Sequence, residues 1–509
     1  MAGALVAGWL IAYPHTPDLA AQVYRVGLFR QLGFAVWDER WYAGHHLPAY
    51  SLLFPPLGSL LGLRLLGALS VLASVVLFER LARSCFSPAA ARWGAALFAL
   101  AAVGDIWIGR LTFALGVPLA LASVLALVRG RHVSAGVLAA VCAAASPVAG
   151  VLLALAGLTA ALARRSPRIA LTLAGPPAAV ILPLALLFPE GGFEPYPLLS
   201  FAATLAVVLA FLWALGPAQP LLRLGGCVYL LACVLCLLVH SPLGSNVERY
   251  GVLLAGPLLL CARPRLTPAV AVALSAWAVW MAWGPVRETL AVAGSEATSA
   301  SYYMPVERFL AEHVRGPVRL EVPLTRSHWE AALLAPTVAL ARGWDKQLEE
   351  RYDGPLLARG LSAASYERWL HEQAVAYVAL PDTPLDSSSA GEGRLIAGGL
   401  PYLRELAASR HWRIYEVLAP TPLASGPGQL TALGHDSFAL SARSPGSFVV
   451  RVHFTRYWTL TRGSGCVGQG PGGWTAVSVR AAGTIIVAAR FSLARAFAAG
   501  GSCTRGANR

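Results

Sequence analysis

Long apolar runs separated by short polar turns fill the first half of the chain. After a short run at Ala2–Tyr13 and a polar stretch at Pro14–Pro56, they recur at Leu57–Phe78, Trp93–Ile108, Leu111–Val128, Val133–Ala145, Val148–Ala163, Ile169–Phe188, Leu198–Leu215, Leu224–Val239, Tyr250–Cys261 and Leu266–Trp283. A helix crossing a hydrocarbon core needs about 20 apolar residues, so this pattern predicts about eleven transmembrane helices counting the first. Ala2–Tyr13 is too short to span alone and has neither the charged start nor the small-residue cleavage site of a signal peptide. It is read as the end of a first span with a shortened start. Val133–Ala163 is split into two short helices around Ser146–Pro147, which keeps the arginine-bearing turns on one side of the membrane.

Those turns set the orientation. Arg80, Arg83 and Arg92, then Arg129 and Arg131, then Arg164, Arg165 and Arg168, then Arg223, then Arg263 and Arg265 fall on alternate connections, whereas the other connections after Pro14–Pro56 are nearly free of arginine apart from Arg110 and Arg249. The excess of arginine marks the cytoplasmic face, so Pro14–Pro56 and the C-terminal region are expected outside. From about Gly284 the pattern changes to helix-like VERFLAEHV and strand-like VRLEVPL and AVAYVALP. After a Gly/Ser-rich stretch near Asp386, alternating runs such as SFVVRVHFTRYWTL follow. The expected organisation is a transmembrane domain over 1–283, an extracytoplasmic α+β domain over 284–420 and a β-rich extracytoplasmic subdomain over 421–509.

Composition agrees with a polytopic α-helical membrane protein: 56% of residues are hydrophobic and only 13% charged, against about a quarter charged in soluble domains. The formal charge of +14 lies largely in arginines flanking apolar runs, which excludes nucleic acid as the expected partner and leaves the lipid bilayer. Cys233 and Cys236 form a CxxC inside LLACVLCLLVH and read as small packing residues. Cys466 and Cys503 are a disulfide candidate if their region is outside the cytoplasm.

Candidate chemistry concentrates in Pro14–Pro56. Pro17 suits the first turn of a helix that Thr16 can cap. Along it Leu19, Val23, Val26 and Phe29 make an apolar stripe, and Asp18, Gln22 and Arg25 share the other face. Such a helix is expected along the membrane surface. Asp18 either complements the helix dipole or serves as a general base toward a substrate at the interface. Arg249 runs against the topological bias and is a phosphate-binding candidate through its bidentate guanidinium, or else pairs with Glu248 or Asp105. Asp105 and Arg110 are expected to pair with each other. His240, His45 and His46 suit substrate hydrogen bonding or plain surface. Trp41 and Tyr42, beside Trp37, suit a sugar face or interfacial anchoring. Asp38, Glu39, Glu190 and Glu194 are candidates for a second carboxylate. In the C-terminal region Arg326, His328, Trp329, Glu330, Arg342, Trp344 and Asp345 are dense in sugar-binding residue types, with Trp344 the acceptor-binding candidate.

Asp18, Gln22, Gly33, the run Trp37-Asp38-Glu39-Arg40-Trp41-Tyr42, Gly44, Pro48 and Pro55-Pro56 together resemble the first outer loop of bacterial YfhO-like membrane proteins. They also resemble actinobacterial membrane proteins labelled as related to pyruvoyl-tetrahydropterin synthase. Both look like members of the GT-C glycosyltransferase superfamily. His15-Thr16-Pro17-Asp18 is similar to the His-Pro-Asp-Glu motif of eukaryotic GT-C mannosyltransferases, with a Thr inserted and Leu19 where the Glu would stand. The resemblance implies a bacterial plasma-membrane glycosyltransferase that moves a sugar from a polyprenyl-phosphate donor to a cell-envelope glycan, lipid or protein. Asp18 would be its catalytic carboxylate. A divalent metal, Mg²⁺ or Mn²⁺, stays open as cofactor, with no ligand set identified. The rival readings are a non-catalytic family member and a lipid or glycan transporter.

Overall fold

The computed structural model describes residues 1–509 apart from 191, 218, 359, 498–500, 502 and 504–509. The chain divides into two compact units, Met1–Gln31 with Ala49–Ala293 and Leu32–Pro48 with Gly294–Arg509. The polar stretch at Pro14–Pro56 is thus shared between them.

The first unit is helical. It comprises α1 (Ala2–Ala12), α2 (Pro17–Leu32), α3 (Phe54–Leu61), α4 (Leu63–Arg83), α5 (Pro88–Trp107), α6 (Leu111–Val128), α7 (His132–Ala145), α8 (Pro147–Arg164), α9 (Pro167–Leu173), α10 (Gly175–Leu187), α11 (Leu198–Leu215), α12 (Pro220–Leu238), α13 (Glu248–Ala262) and α14 (Pro268–Val292). Among the described residues seven of these are long and apolar enough to cross a membrane, and eight if α9 and α10, bent by 45°, form one span. The other expected spans are helical but short: α1, α7 and α13 have 11, 14 and 15 residues. The break between α7 and α8 has a local cause. Ser146 is extended and its hydroxyl accepts from the Ala149 N–H, while Pro147 opens α8. Neighbouring helices approach through small residues: a methyl group on Gly116 would come within 2.5 Å of the Ala149 Cβ, and one on Gly150 within 2.8 Å of the Ala143 Cβ. Large apolar side chains such as Leu186, Leu199, Leu231 and Val279 point outward, as lipid-facing positions require.

Sequence periodicity predicts that α2 lies on a surface, and the structure differs. Leu19 and Val26 are buried on one side, but Gln22, Tyr24 and Arg25 are buried too, at 3–6% exposure. The helix is packed on both faces because its polar side chains find partners inside the helical unit.

The second unit is mixed. After α15 (Ala300–His313), five strands form a sheet in the order β4-β3-β5-β7-β6, where β3 is Arg319–Glu321, β4 Ala339–Leu340, β5 Tyr377–Pro381, β6 Leu403–Ala408 and β7 Trp412–Val417. β3 runs parallel to both β4 and β5, and β7 antiparallel to β5. Beyond it come two four-stranded antiparallel sheets, β12-β15-β10-β9 and β13-β14-β11-β8. Their strands are β8 (Ala424–Ser425), β9 (Gly428–Leu433), β10 (Ser437–Ala442), β11 (Gly446–His453), β12 (Trp458–Arg462), β13 (Gly465–Gln469), β14 (Trp474–Val479) and β15 (Gly483–Ala489). Alternate residues Phe438, Leu440 and Ala442 of β10 and Phe448, Val450 and Val452 of β11 enter a common core. Cys466 of β13 is joined to Cys503 by a disulfide.

Leu32–Pro48 is built into this unit. The short strands β1 (Trp37–Asp38) and β2 (His45–His46) pair, Trp37 enters the core shared by β10 and β11, and Trp41 and Tyr42 are fully buried. Trp41 donates its indole N–H to the Ala331 carbonyl at 3.0 Å, over Gly343, where any side chain would collide with the indole.

A charged hub lies beside the β3-β4-β5 sheet. Arg342 faces Glu392 at 3.2 Å and Asp353 at 3.5 Å and donates to the Ser389 hydroxyl at 2.6 Å. Glu321, Asp353 and Glu392 are each fully buried. Burial raises all three carboxyls above their ordinary range, with Arg342 opposing the rise. A folded-state pKa above the unfolded value stabilises fully below the unfolded value, about 4 for these groups, and that contribution is lost as pH rises through the folded value. Thermal unfolding of the mixed unit, followed in the full chain, should therefore shift downward as pH is raised above the ordinary carboxylate range. Each pH unit crossed by one such group costs about 1.4 kcal/mol, or roughly 3–5 °C in a unit of this size. Glu321→Gln should flatten the dependence, and an unchanged pH slope in that variant would show that the carboxyl does not titrate there.

Candidate functional site

In the helical unit, the start of α2 is tied to the turn between α5 and α6. The hydroxyl of buried Thr16 donates to the Ile108 carbonyl at 2.8 Å and the Trp107 carbonyl at 3.2 Å, so it bridges elements. Gly109 in that turn has φ +97°, and a side chain there would come within 2.5 Å of the Leu19 nitrogen.

This tether brings Asp18 to Arg110, at the N-terminus of α6. The Arg110 Nε is 3.4 Å from the Asp18 carboxylate, and its Nη1 is 3.8 Å from the carboxylate of Asp105, near the end of α5. The expected Asp105–Arg110 pair is present, and Asp18 joins it from the other side. Asp18 keeps 34% of its side chain exposed and Asp105 only 11%. Arg249, in the first turn of α13, interacts electrostatically with Asp105 and Asp18, and with Arg110 in the opposite sense. It donates to the Asn246 side chain and stands over the Phe113 ring at 5.3 Å, and its Nε is buried without a hydrogen-bond partner among the described residues. Glu248 instead accepts from Thr204 at 3.1 Å.

Next to these charges, the Gln22 amide donates to the Tyr50 hydroxyl at 2.5 Å and accepts from Thr112 at 2.7 Å. The Arg25 guanidinium carbon stands over the Tyr50 ring at 3.5 Å from its centroid. Sequence reasoning missed Tyr50 and Thr112. No local signal marks them, although Thr112 stands two residues from Arg110. Among the described residues no three His, Cys, Asp or Glu side chains converge as metal ligands. The cation between Asp18 and Asp105 is Arg110.

The other sequence candidates are positioned as follows. Glu194 accepts from Ser245 at 2.9 Å, and its N–H donates to the Ser241 carbonyl at 3.0 Å, which fixes that loop against the turn before α13. Glu190 lies in the same loop, and exposed His240 lies against Phe193 at 4.4 Å with the rings tilted by 37°. In the mixed unit, Asp38 meets His435 at 3.1 Å, and Glu39, fully buried, accepts from the Trp37 indole at 2.9 Å. Burial drives the Glu39 carboxyl well above its ordinary range despite that bond and the charge of Arg319, and the same burial lowers Arg319 to about 10. Tyr42 accepts from the Asp345 N–H at 3.1 Å. His45 stacks on Trp41 at 5.7 Å, His46 meets the Thr455 hydroxyl at 3.0 Å, and Trp344 stacks on His328.

No family model and no curated protein matches this chain. Among solved structures it is similar to the arabinofuranosyltransferase AftD from mycobacteria, determined by single-particle cryo-electron microscopy, with 15% identity and a TM-score of 0.46. The likeness covers 98% of this chain and 57% of that one, so the chain spans somewhat over half the length of AftD.

The Gly109 turn yields a direct test. Gly109→Ala should cost about 1–3 kcal/mol through its left-handed backbone and loosen the start of α2 through the collision with Leu19. Thermal unfolding of the full chain measures this, and an unchanged midpoint would mean that the contact relaxes freely.

Proposed function

We propose that this chain is a GT-C-type membrane glycosyltransferase of the bacterial plasma membrane, transferring a sugar from a polyprenyl-phosphate donor to a cell-envelope acceptor on the outer face. One observation carries the reading: a half-exposed carboxylate, Asp18, shares a charged cluster with Arg110, Asp105 and Arg249 at the ends of apolar helices. Charges in such positions are costly and are retained for pairing or function. The alternation of arginine-bearing turns supports an outer orientation for this end, with the mixed unit also outside and about eleven spans in all. The loop pattern around Asp18 and Gln22 supports the family.

The chemistry follows from the groups present. The acceptor hydroxyl loses its proton to Asp18 as its oxygen bonds to the anomeric carbon of the donor. The bond from that carbon to the phosphate oxygen breaks, and the phosphate leaves with the electron pair. A base contributes about 10²–10⁴-fold to such a step. Arg249 binds the departing phosphate, for which its uncommitted Nε and planar guanidinium are suited. Arg110 orients Asp18 through its Nε, with Asp105 balancing its second edge. Gln22, Tyr50 and Thr112 fix the wall beside the base. Asp105 takes the place of the second carboxylate sought at Asp38, Glu39, Glu190 or Glu194.

The test is transfer from a radiolabelled polyprenyl-phosphate sugar in membranes holding equal amounts of each variant. Asp18→Asn should lower the rate by about 10²–10⁴-fold, and Arg249→Ala should weaken use of the donor while leaving the fold intact. Full activity in Asp18→Asn removes this mechanism. Movement of lipid-linked sugar across the membrane without transfer, and independent of Asp18, would identify a transporter.

A further inference from the structure

The mixed unit has a reversal of strand winding of its own. Its sheet order β4-β3-β5 means that the chain leaves β3 toward one neighbour and returns across it to the other. Open α/β sheets bind ligands beyond the carboxyl ends of parallel strands at such a reversal. Here the connections after β3 and β5 lie together: the Arg326 N–H donates to the Pro384 carbonyl at 2.9 Å, the Asp386 N–H to the Leu324 carbonyl at 2.8 Å, and Thr325 bridges to Leu385.

The side chains at this point are unlike a plain core. His328, from the connection after β3, is 2% exposed and adopts φ +56°, which is uncommon for a residue with a side chain. Its Nε2 is 3.6 Å from Asp386 and its Nδ1 is 3.9 Å from Glu330. Both Glu330 oxygens already accept from Thr325, and His328 Nδ1 is buried without a hydrogen-bond partner among the described residues. Trp344, from the connection after β4, lies parallel to the imidazole with ring centroids 3.4 Å apart and is only half-buried. Asp386 keeps 32% of its side chain in solvent. Although burial opposes ionisation of Asp386, His328 and the Ser388 N–H outweigh it and hold the carboxyl well below its ordinary range. Asp386 is therefore a fixed, accessible hydrogen-bond acceptor beside an aromatic plate.

We propose that the surface at this reversal is a binding site for a neutral saccharide unit, with Trp344 as its stacking face and Asp386 as acceptor for ring hydroxyls. An aromatic face suits the C–H surface of a sugar, and an ionised carboxylate suits its O–H donors. The nearby cations are already answered by carboxylates, which disfavours anions: Glu349 interacts electrostatically with Arg342, His328 and Lys346, and Arg342 is also engaged by Asp353 and Glu392. The site lies in the mixed unit and does not depend on the transferase reading.

Saturation-transfer NMR on the full chain tests it, in nanodiscs prepared without glycoside detergent and with no lipid-linked donor. The probes are a methyl hexopyranoside, a methyl pentofuranoside and a sugar phosphate. Saturation should reach at least one neutral glycoside and fall at least fivefold in both Trp344→Ala and Asp386→Asn, with unfolding midpoints unchanged. The near-isosteric Asp386→Asn decides the matter if Trp344→Ala does not fold. No transfer to either neutral glycoside, equal transfer in folded Asp386→Asn, or preference for the sugar phosphate would each overturn the proposal. Asp18→Asn should bind the glycoside like the parent chain, which separates failure here from failure of the catalytic reading.

Discussion

Arg110, held between Asp18 and Asp105, is the interaction on which the helical unit's polar end depends. A charge at the end of an apolar helix is expensive to keep unless another charge answers it. Here the three are mutually dependent: each carboxylate shares the one guanidinium, with Arg249 close enough to feel all of them. The arrangement is also mechanical. Thr16 anchors α2 to the carbonyls that end α5, and Gly109 lets the two elements approach closely. The position of the carboxylate is thus set by helix packing, more rigidly than a loop could set it.

The mixed unit meets the same cost in another way. Its charges are buried outright, and Arg342 answers several carboxyls at once while burial favours their protonated forms. Paired charges of this kind contribute little net stability but are costly to break one at a time. They hold the ends of β3 and β4 in register with the connections that follow, where Trp344 and Asp386 meet His328. The charged hub and the proposed binding surface are adjacent because the sheet reverses its winding at this point.

The stretch Pro14–Pro56 supplies both units. Asp18, Gln22 and Arg25 belong with the helices, whereas Asp38, Glu39, Trp41, Tyr42, His45 and His46 belong with the sheets. A reading by composition treats the whole stretch as one polar loop. Its large aromatic side chains, however, have enough apolar surface to become core, and Trp37 and Trp41 do so. The pairing of Asp105 with Arg110 was legible because both flank one turn. Tyr50 and Thr112 were not, since an isolated hydroxyl has no sequence signature until a partner such as Gln22 is brought to it.

Hydropathy alone located α6 and α11 at Leu111–Val128 and Leu198–Leu215, and the placing of arginines in the turns added the Ser-Pro break between α7 and α8. Transfer of a side chain into an apolar medium, and the backbone limits of proline, are local properties that each residue carries with it. Which charges meet is not local. Asp18 and Arg110 are far apart along the chain, as are His328 and Asp386. Only the packing of α2 against the α5–α6 turn, and the return of the chain across β3, decided those encounters, because electrostatic and hydrogen-bond energies depend on distances that exist only once the elements are assembled.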